Sequence, residues 1–317
     1  MHIVVIEPLG VEQSLIDELK QPLLDAGHTF VYHTTRVTDT PTLIERGKDA
    51  DILVVANLPL PAEVIDGCPK LQMIAVAFTG VDHIALDACK ARGIKVSNAA
   101  GYSTNAVAEL AFGLMLSLYR YIPTCDERAR TGGTKDGLVG PELQGKTLGI
   151  VGTGAIGSRV AEIAKVFGMH VLAYSRTVKP ALEAQGVQYV PLDTLLRESD
   201  IVSLHVPSNA ETRGMIGKEQ IALMKPTALL INTARGPVVD NAALAEALND
   251  EKIAGAGLDV FDMEPPLPAD YPILHAKHTV LTPHVAFATK EAMIKRAHIT
   301  FENVTSYLDG HQINVIL

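Results

Sequence analysis

The sequence predicts an α/β fold of doubly wound parallel sheets, and three observations predict it. Short β-branched runs alternate with helical patterns along almost the whole chain. Most of these runs are continuously apolar, as strands buried on both faces are, where strands with one wet face would alternate. One run enters a glycine-rich turn that opens a helix. The 317 residues exceed what one ordinary core holds and point to two domains.

In chain order the predicted strands are Ile3 to Ile6, Ile52 to Ala56, Met73 to Ala77, Leu148 to Val151, His170 to Tyr174, Ile201 to His205, Ala228 to Asn232 and Gly255 to Asp259. Amphipathic segments separate them. Asn105 to Leu118 reads as a helix apolar nearly all round, with Ser103, Thr104 or Asn105 as N-cap. Such a helix must be buried, between domains or subunits, and it favours a homodimer. Arg128 to Gly145 breaks the rhythm with five glycines and no periodicity. An amphipathic helix from Thr289 to about Leu308 closes the chain.

Composition excludes several function classes. Hydrophobic residues make up 47% and charged residues 20%, yet no window holds the ~18 uninterrupted apolar residues of a membrane span. The net charge is −9, the pI is near 5.6, and no basic cluster with interleaved aromatics occurs, so no nucleic-acid partner is expected. Cys68, Cys89 and Cys125 are odd in number and never spaced C-x-x-C, against a disulfide framework or a cysteine zinc site. With no basic leader before the first apolar run, the expected location is the cytoplasm. No metal is expected.

The strongest motif is "TLGIVGTGAIGSRVAEIAKVFG", which sets Gly152, Gly154 and Gly157 in the G-x-G-x-x-G spacing between a strand and a helix. The first glycine makes a tight turn, the second admits a pyrophosphate to the backbone, and the third lets helix pack on strand. The next strand, "HVLAYS", completes a βαβ unit, so a dinucleotide is expected there. That strand ends in Ser175-Arg176-Thr177, where an NAD site carries an acidic residue for the ribose hydroxyls. A serine followed by an arginine accepts a 2′-phosphate, which favours NADP over NAD. Two further pattern matches are rejected. Gly140 to Thr147 fits G-x-x-x-x-G-K-[ST], but a strand follows it and Pro141 lies inside it. Asn303-Val304-Thr305 fits a glycosylation sequon, without meaning for a cytoplasmic protein.

"LLINTARGPVVD" ends an apolar run in an arginine, Arg235, flanked by the small residues Ala234 and Gly236, as if a ligand approached its guanidinium. Farther on, Glu264 follows "GAGLDVFDM" and His284 follows "TVLTP". All three follow strands of one half of the protein, where ligands of doubly wound sheets collect. An arginine to grip an anion, a histidine to move a proton and a carboxylate to hold the histidine charged make coherent chemistry. Each residue alone also has a plain structural reading.

This trio, the glycine motif and "NTARGPVVDNAALAEALNDEKIAGAGLDVF" resemble the D-isomer-specific 2-hydroxyacid dehydrogenase family over essentially the whole chain. The resemblance implies a Rossmann nucleotide-binding domain, residues 100–287, inserted into a flavodoxin-like substrate domain made of residues 1–99 and 288–317. It implies catalytic roles for Arg235, Glu264 and His284. It further implies cofactor contacts from Ala155 and Ile156 on pyrophosphate, from Val206, Pro207 and Thr212 along the cleft, and from Thr233, Ala234 and Asp259 near the nicotinamide. "AFTGVDHI" resembles the family loop that holds the substrate carboxylate, implicating Thr79 and Gly80, with Phe78 and Tyr102 beside the substrate. Phe78 places a ring where relatives often have a small residue, and Phe287 stands where reductases of this kind often have tryptophan. "GYSTNAVAEL" and "TPHVAFATKEA" are most similar to the hydroxypyruvate or glyoxylate reductase and D-lactate dehydrogenase branches. The expected reaction is hydride transfer between a nicotinamide cofactor and a small 2-oxo or D-2-hydroxy acid. Two alternatives share the fold: a dehydrogenase of another small anion, such as formate or phosphite, and a nucleotide-sensing binding protein of the corepressor type.

Overall fold

A computed structural model describes residues 1–317. The chain divides into two compact units, Met1–Ser103 with Ala288–Leu317, and Thr104–Phe287. The first carries five strands: β1 (His2–Val5), β2 (Thr29–Tyr32), β3 (Ile52–Val55), β4 (Met73–Val76) and β5 (Lys95–Asn98). They lie in the order β2-β1-β3-β4-β5, every pair parallel. Strands β3 and β4 are buried at every position, which is why they read as unbroken apolar runs. The last helix, Lys290–Leu308, folds back onto this unit. Phe301 and Val304 join the core of Ile3, Val5, Val54 and Ala75. The sequon residue Asn303 lies inside it, fully buried, donating to the Asn98 carbonyl at 2.8 Å.

The second unit carries seven strands: β6 (Thr147–Val151), β7 (His170–Tyr174), β8 (Val187–Tyr189), β9 (Ile201–Leu204), β10 (Leu229–Asn232), β11 (Gly255–Leu258) and β12 (Thr279–Leu281). Their order is β12-β11-β10-β9-β6-β7-β8, again all parallel. Strand order therefore reverses between β6 and β9, the topological switch point where such sheets bind ligands. The helix predicted over Asn105 to Leu118 runs Thr104–Tyr119. Its all-round apolar surface is explained within this unit. Ala108, Ala111, Phe112, Leu114 and Met115 share a core with Val160, Ala164, Leu229 and Ile231, so no subunit contact is needed to bury them. The irregular stretch expected from Arg128 begins after Arg130, because Ile122–Arg130 is helical, a helix none of whose residues is buried. The rejected phosphate-loop match, Gly140 to Thr147, is loop leading into β6. No helix is long and apolar enough to cross a membrane.

Candidate active site

The C-terminal edge of the seven-stranded sheet carries every feature the sequence singled out for dinucleotide chemistry. At the end of β6, Gly152 has φ 98°, a left-handed value that favours glycine, and a Cβ on it would come 2.7 Å from the His205 carbonyl oxygen. A Cβ on Gly157 would stand 2.0 Å from the Gly152 oxygen, so only glycine lets the helix Ala155–Val166 pack this close to the turn. A Cβ on Gly154 would meet nothing within 4 Å, and no side chain caps the helix N-terminus it begins. Gly154 and Ala155 are exposed and Ile156 is half-buried. Uncapped amides at an open helix N-terminus suit a pyrophosphate. The buried Thr233 hydroxyl, at the end of β10, and Nδ1 of His205, at the end of β9, have no protein hydrogen-bond partner. Orphaned polar atoms on this edge fit a polar cofactor.

The rim of the edge is ordered by its own polar groups. Thr212 donates its hydroxyl to the Pro207 carbonyl at 2.5 Å and accepts from the Asn209 amide at 2.9 Å, closing the Val206–Thr212 loop on itself. Ser175 is half-buried, and Arg176 and Thr177 are exposed. Nε2 of His205 lies 2.9 Å from the Ser203 hydroxyl, and burial pushes the ring down to about 4, so it is neutral near pH 7.

Arg235 leaves β10 through a turn clamped by buried Asn232, whose side chain donates to the Arg235 carbonyl at 3.0 Å and accepts from the Ala234 amide at 3.0 Å. One guanidinium nitrogen donates to the Ala234 carbonyl at 2.8 Å. The sequence suggested that Gly236 is small to admit a ligand, but its neighbour is protein. A Cβ there would fall 1.7 Å from the Phe261 carbonyl oxygen. His284 sits past β12 with φ 56°, its side chain 13% exposed and its ring edge-on to Phe287 with centroids 5.5 Å apart. Both oxygens of Glu264 reach its Nδ1, at 2.9 and 2.8 Å. A carboxylate accepts only, so Nδ1 carries a proton and Nε2 is the nitrogen turned to other chemistry.

The sequence reading missed what holds His284 in place. Asp259, fully buried at the end of β11, accepts from the Thr282 hydroxyl at 2.6 Å and from the Val285 and Ala286 amides at 2.8 and 2.9 Å. Its carbonyl accepts the His284 amide at 2.8 Å. Burial raises its pKa above the usual carboxylate range, opposed by those hydrogen bonds. Both carboxylate oxygens thus order the histidine loop, a role that only the folded geometry makes visible.

The remaining predicted residues lie in the first unit. Thr79 and Gly80 follow β4. The Thr79 carbonyl accepts from the Asn98 side chain at 2.7 Å, and Phe78 and Tyr102 have ring centroids 6.0 Å apart.

Residues 112–286 match the model of the D-isomer specific 2-hydroxyacid dehydrogenase NAD-binding domain. The chain is 44% identical over 275 residues to a glyoxylate reductase of Korarchaeum cryptofilum, covering 84% of this chain and 82% of that one. It is 37% identical over 299 residues to a hydroxypyruvate reductase of Blautia hydrogenotrophica, covering 92% of each. Among solved structures it is similar to an acyclic imino acid reductase, Bsp5, in complex with NADPH and D-Arg, with TM-score 0.90, 34% identity and full coverage of both chains. The chain belongs to the D-isomer-specific 2-hydroxyacid dehydrogenase family. It is an NAD(P)-dependent oxidoreductase acting between 2-oxo acids and D-2-hydroxy acids.

Proposed function

We propose that the protein reduces a small 2-oxo acid of the glyoxylate or hydroxypyruvate type, prefers NADPH as reductant, and uses Arg235, Glu264 and His284 for the chemistry. The observation that carries this reading is the two-oxygen contact of Glu264 with Nδ1 of His284, because it orients one nitrogen of a mostly buried imidazole for proton transfer. Relatives named for glyoxylate and hydroxypyruvate support the substrate class.

A nicotinamide held at the C-terminal edge of the seven-stranded sheet would supply the hydride for the carbonyl carbon. Arg235 forms charge-assisted bonds to the carboxylate and carbonyl oxygen of the substrate, orienting the molecule and polarising the C=O. Nε2 of His284 gives its proton to the forming alkoxide, and in oxidation the same nitrogen takes it back. Glu264 holds the ring through Nδ1. Asp259 holds the loop through Val285 and Ala286, keeping the ring from turning away. The glycine loop, Ser175, Arg176, Thr177, Val206, Pro207, Thr212, Thr233 and Ala234 are assigned to the cofactor, and Phe78, Thr79, Gly80 and Tyr102 to substrate.

The same reading makes the second unit the nucleotide domain and the first the substrate domain, and places the protein in the cytoplasm as a homodimer. The support for a dimer moves to Ile122–Arg130, which has no fully buried residue and exposes half of Ile122, and to Val139, 90% exposed.

Turnover of glyoxylate, hydroxypyruvate, pyruvate, formate and phosphite, each with the NADP and the NAD couple, tests the proposal. The expected result is fastest oxidation of NADPH with glyoxylate or hydroxypyruvate. Cofactor binding without turnover of any 2-oxo acid overturns it in favour of a sensor, and turnover confined to formate or phosphite overturns it in favour of the other dehydrogenase class.

A further inference from the structure

We infer that Lys179, more than Arg176, is the cation that reads the 2′-phosphate of NADP, an inference that rests on the NADP preference proposed above. Both residues lie on the segment that leaves β7 beside the glycine loop, where the adenosine ribose of a doubly wound sheet is held. Their charges are committed differently.

Arg176 is 80% exposed and its guanidinium stands 3.4 Å from a carboxylate oxygen of Glu211, which is 71% exposed, on the loop after β9. A phosphate dianion approaching that pair meets attraction and repulsion together. In water the two are of similar size at similar distance, so they largely cancel. Lys179 faces no such opposition. Its ammonium donates to the Ser158 hydroxyl at 2.9 Å and to the Gly154 carbonyl at 3.5 Å, both neutral acceptors. An ammonium has three protons, and these contacts use two. The whole positive charge, with one proton to give, is therefore presented beside the glycine loop.

Position is fixed as well as charge. Gly154 begins the helix Ala155–Val166, and Ser158 stands in its first turn, donating back to the Gly154 carbonyl at 2.7 Å. The Lys179 amide donates to the Tyr189 hydroxyl at 3.1 Å, and that hydroxyl donates to Thr153 inside the glycine motif, also at 3.1 Å. Head group and backbone of Lys179 are thus both tied to the loop that receives the dinucleotide. A cation ordered before binding loses less freedom on binding than a mobile, exposed arginine.

The test is equilibrium binding of NADPH and NADH to the full chain, read from coenzyme fluorescence, which suits a protein without tryptophan. The set comprises the wild type, Lys179→Gln, Lys179→Arg, Arg176→Gln and Glu211→Gln. Lys179→Gln should raise the Kd for NADPH by roughly tenfold and that for NADH by less than about twofold, as loss of one charge-assisted contact does. Lys179→Arg should restore most of the discrimination. Arg176→Gln should cost NADPH less than Lys179→Gln does, and Glu211→Gln should tighten NADPH alone. Equal weakening of both coenzymes by Lys179→Gln overturns the inference and makes the lysine a brace for the glycine loop. A larger NADPH loss from Arg176→Gln also overturns it. A wild type that binds NADH more tightly overturns the coenzyme preference instead, and the change of the NADPH to NADH ratio in Lys179→Gln still decides which cation senses the phosphate.

Discussion

The loop after β1 and the loop after β6 occupy equivalent places in two parallel sheets, each at the point where strand order reverses, yet they treat an anion oppositely. After β1 the chain supplies its own. Glu7, 1% exposed, accepts from the Ala56 and Leu58 amides at 2.8 and 2.9 Å and from Arg36 at 2.6 Å, stitching the end of β1 to the end of β3. After β6 there is no carboxylate, the Cβ side of Gly154 is open, and the helix N-terminus there is uncapped. A switch point is thus a ligand site only where the protein leaves its donors unanswered. One sheet has turned that edge into structure and the other leaves it uncapped.

The sharpest way to break this contrast is to close the open loop. Gly157→Ala puts a Cβ 2.0 Å from the Gly152 oxygen, a backbone atom that cannot step aside. Overpacking of this kind costs about 1–3 kcal/mol of stability. The coenzyme Kd, measured by calorimetry, should rise at least about tenfold with the displaced turn. Unchanged affinity would mean that the close helix approach is not what shapes the site.

Opening the filled loop should have the smaller, purely structural effect. Glu7→Gln keeps an oxygen for the amides but removes the charge facing Arg36. Because Arg36 is 46% exposed and can be solvated by water, the expected loss is about 1–2 kcal/mol, measured by denaturant unfolding. Coenzyme affinity should stay as in the wild type. A loss of affinity matching that of Gly157→Ala would contradict the division of labour.

The smallest effect concerns His205, next to the open loop. Its folded value of about 4 lies below the ~6.5 of an unfolded chain, so the unfolded state takes up the proton first as pH falls. The stability contributed by the neutral ring is complete above about pH 6.5 and is lost progressively toward pH 4. His33, lowered by burial and by Arg46, acts in the same sense. The Tm of His205→Gln should therefore fall less than that of the wild type between pH 7 and pH 5, and parallel Tm curves would show that the buried ring does not carry this dependence.

The same contrast marks what could be read from the sequence. The glycine loop was legible because Gly152 and Gly157 are demanded locally, and the doubly wound class because most central strands are largely apolar. Strands β2, β5 and β8 escaped. TFVY is an edge strand with half-exposed faces, KVSN buries the polar Ser97 and Asn98, and VQY has three residues. Arg235, Glu264 and His284 stood out because each follows a strand. Glu7 did not, since its partners lie 29 to 51 residues away and no local pattern marks a carboxylate that caps another strand. The resemblance put Asp259 near the nicotinamide, but its hydrogen bonds to residues 23 to 27 positions on have no local pattern that marks them. Lys179 and Glu211 carry no signal beyond charge.

The central claim, that the open edge binds coenzyme while Arg235 grips and activates the 2-oxo acid, is tested most directly by Arg235→Lys. The lysine keeps the charge and loses the two-pronged fork, so kcat/KM for the 2-oxo acid should fall by about 2–4 kcal/mol of transition-state stabilisation. Coenzyme Kd, measured on the same preparation, should be unchanged. Near-normal turnover, or a loss confined to coenzyme binding, would contradict the account.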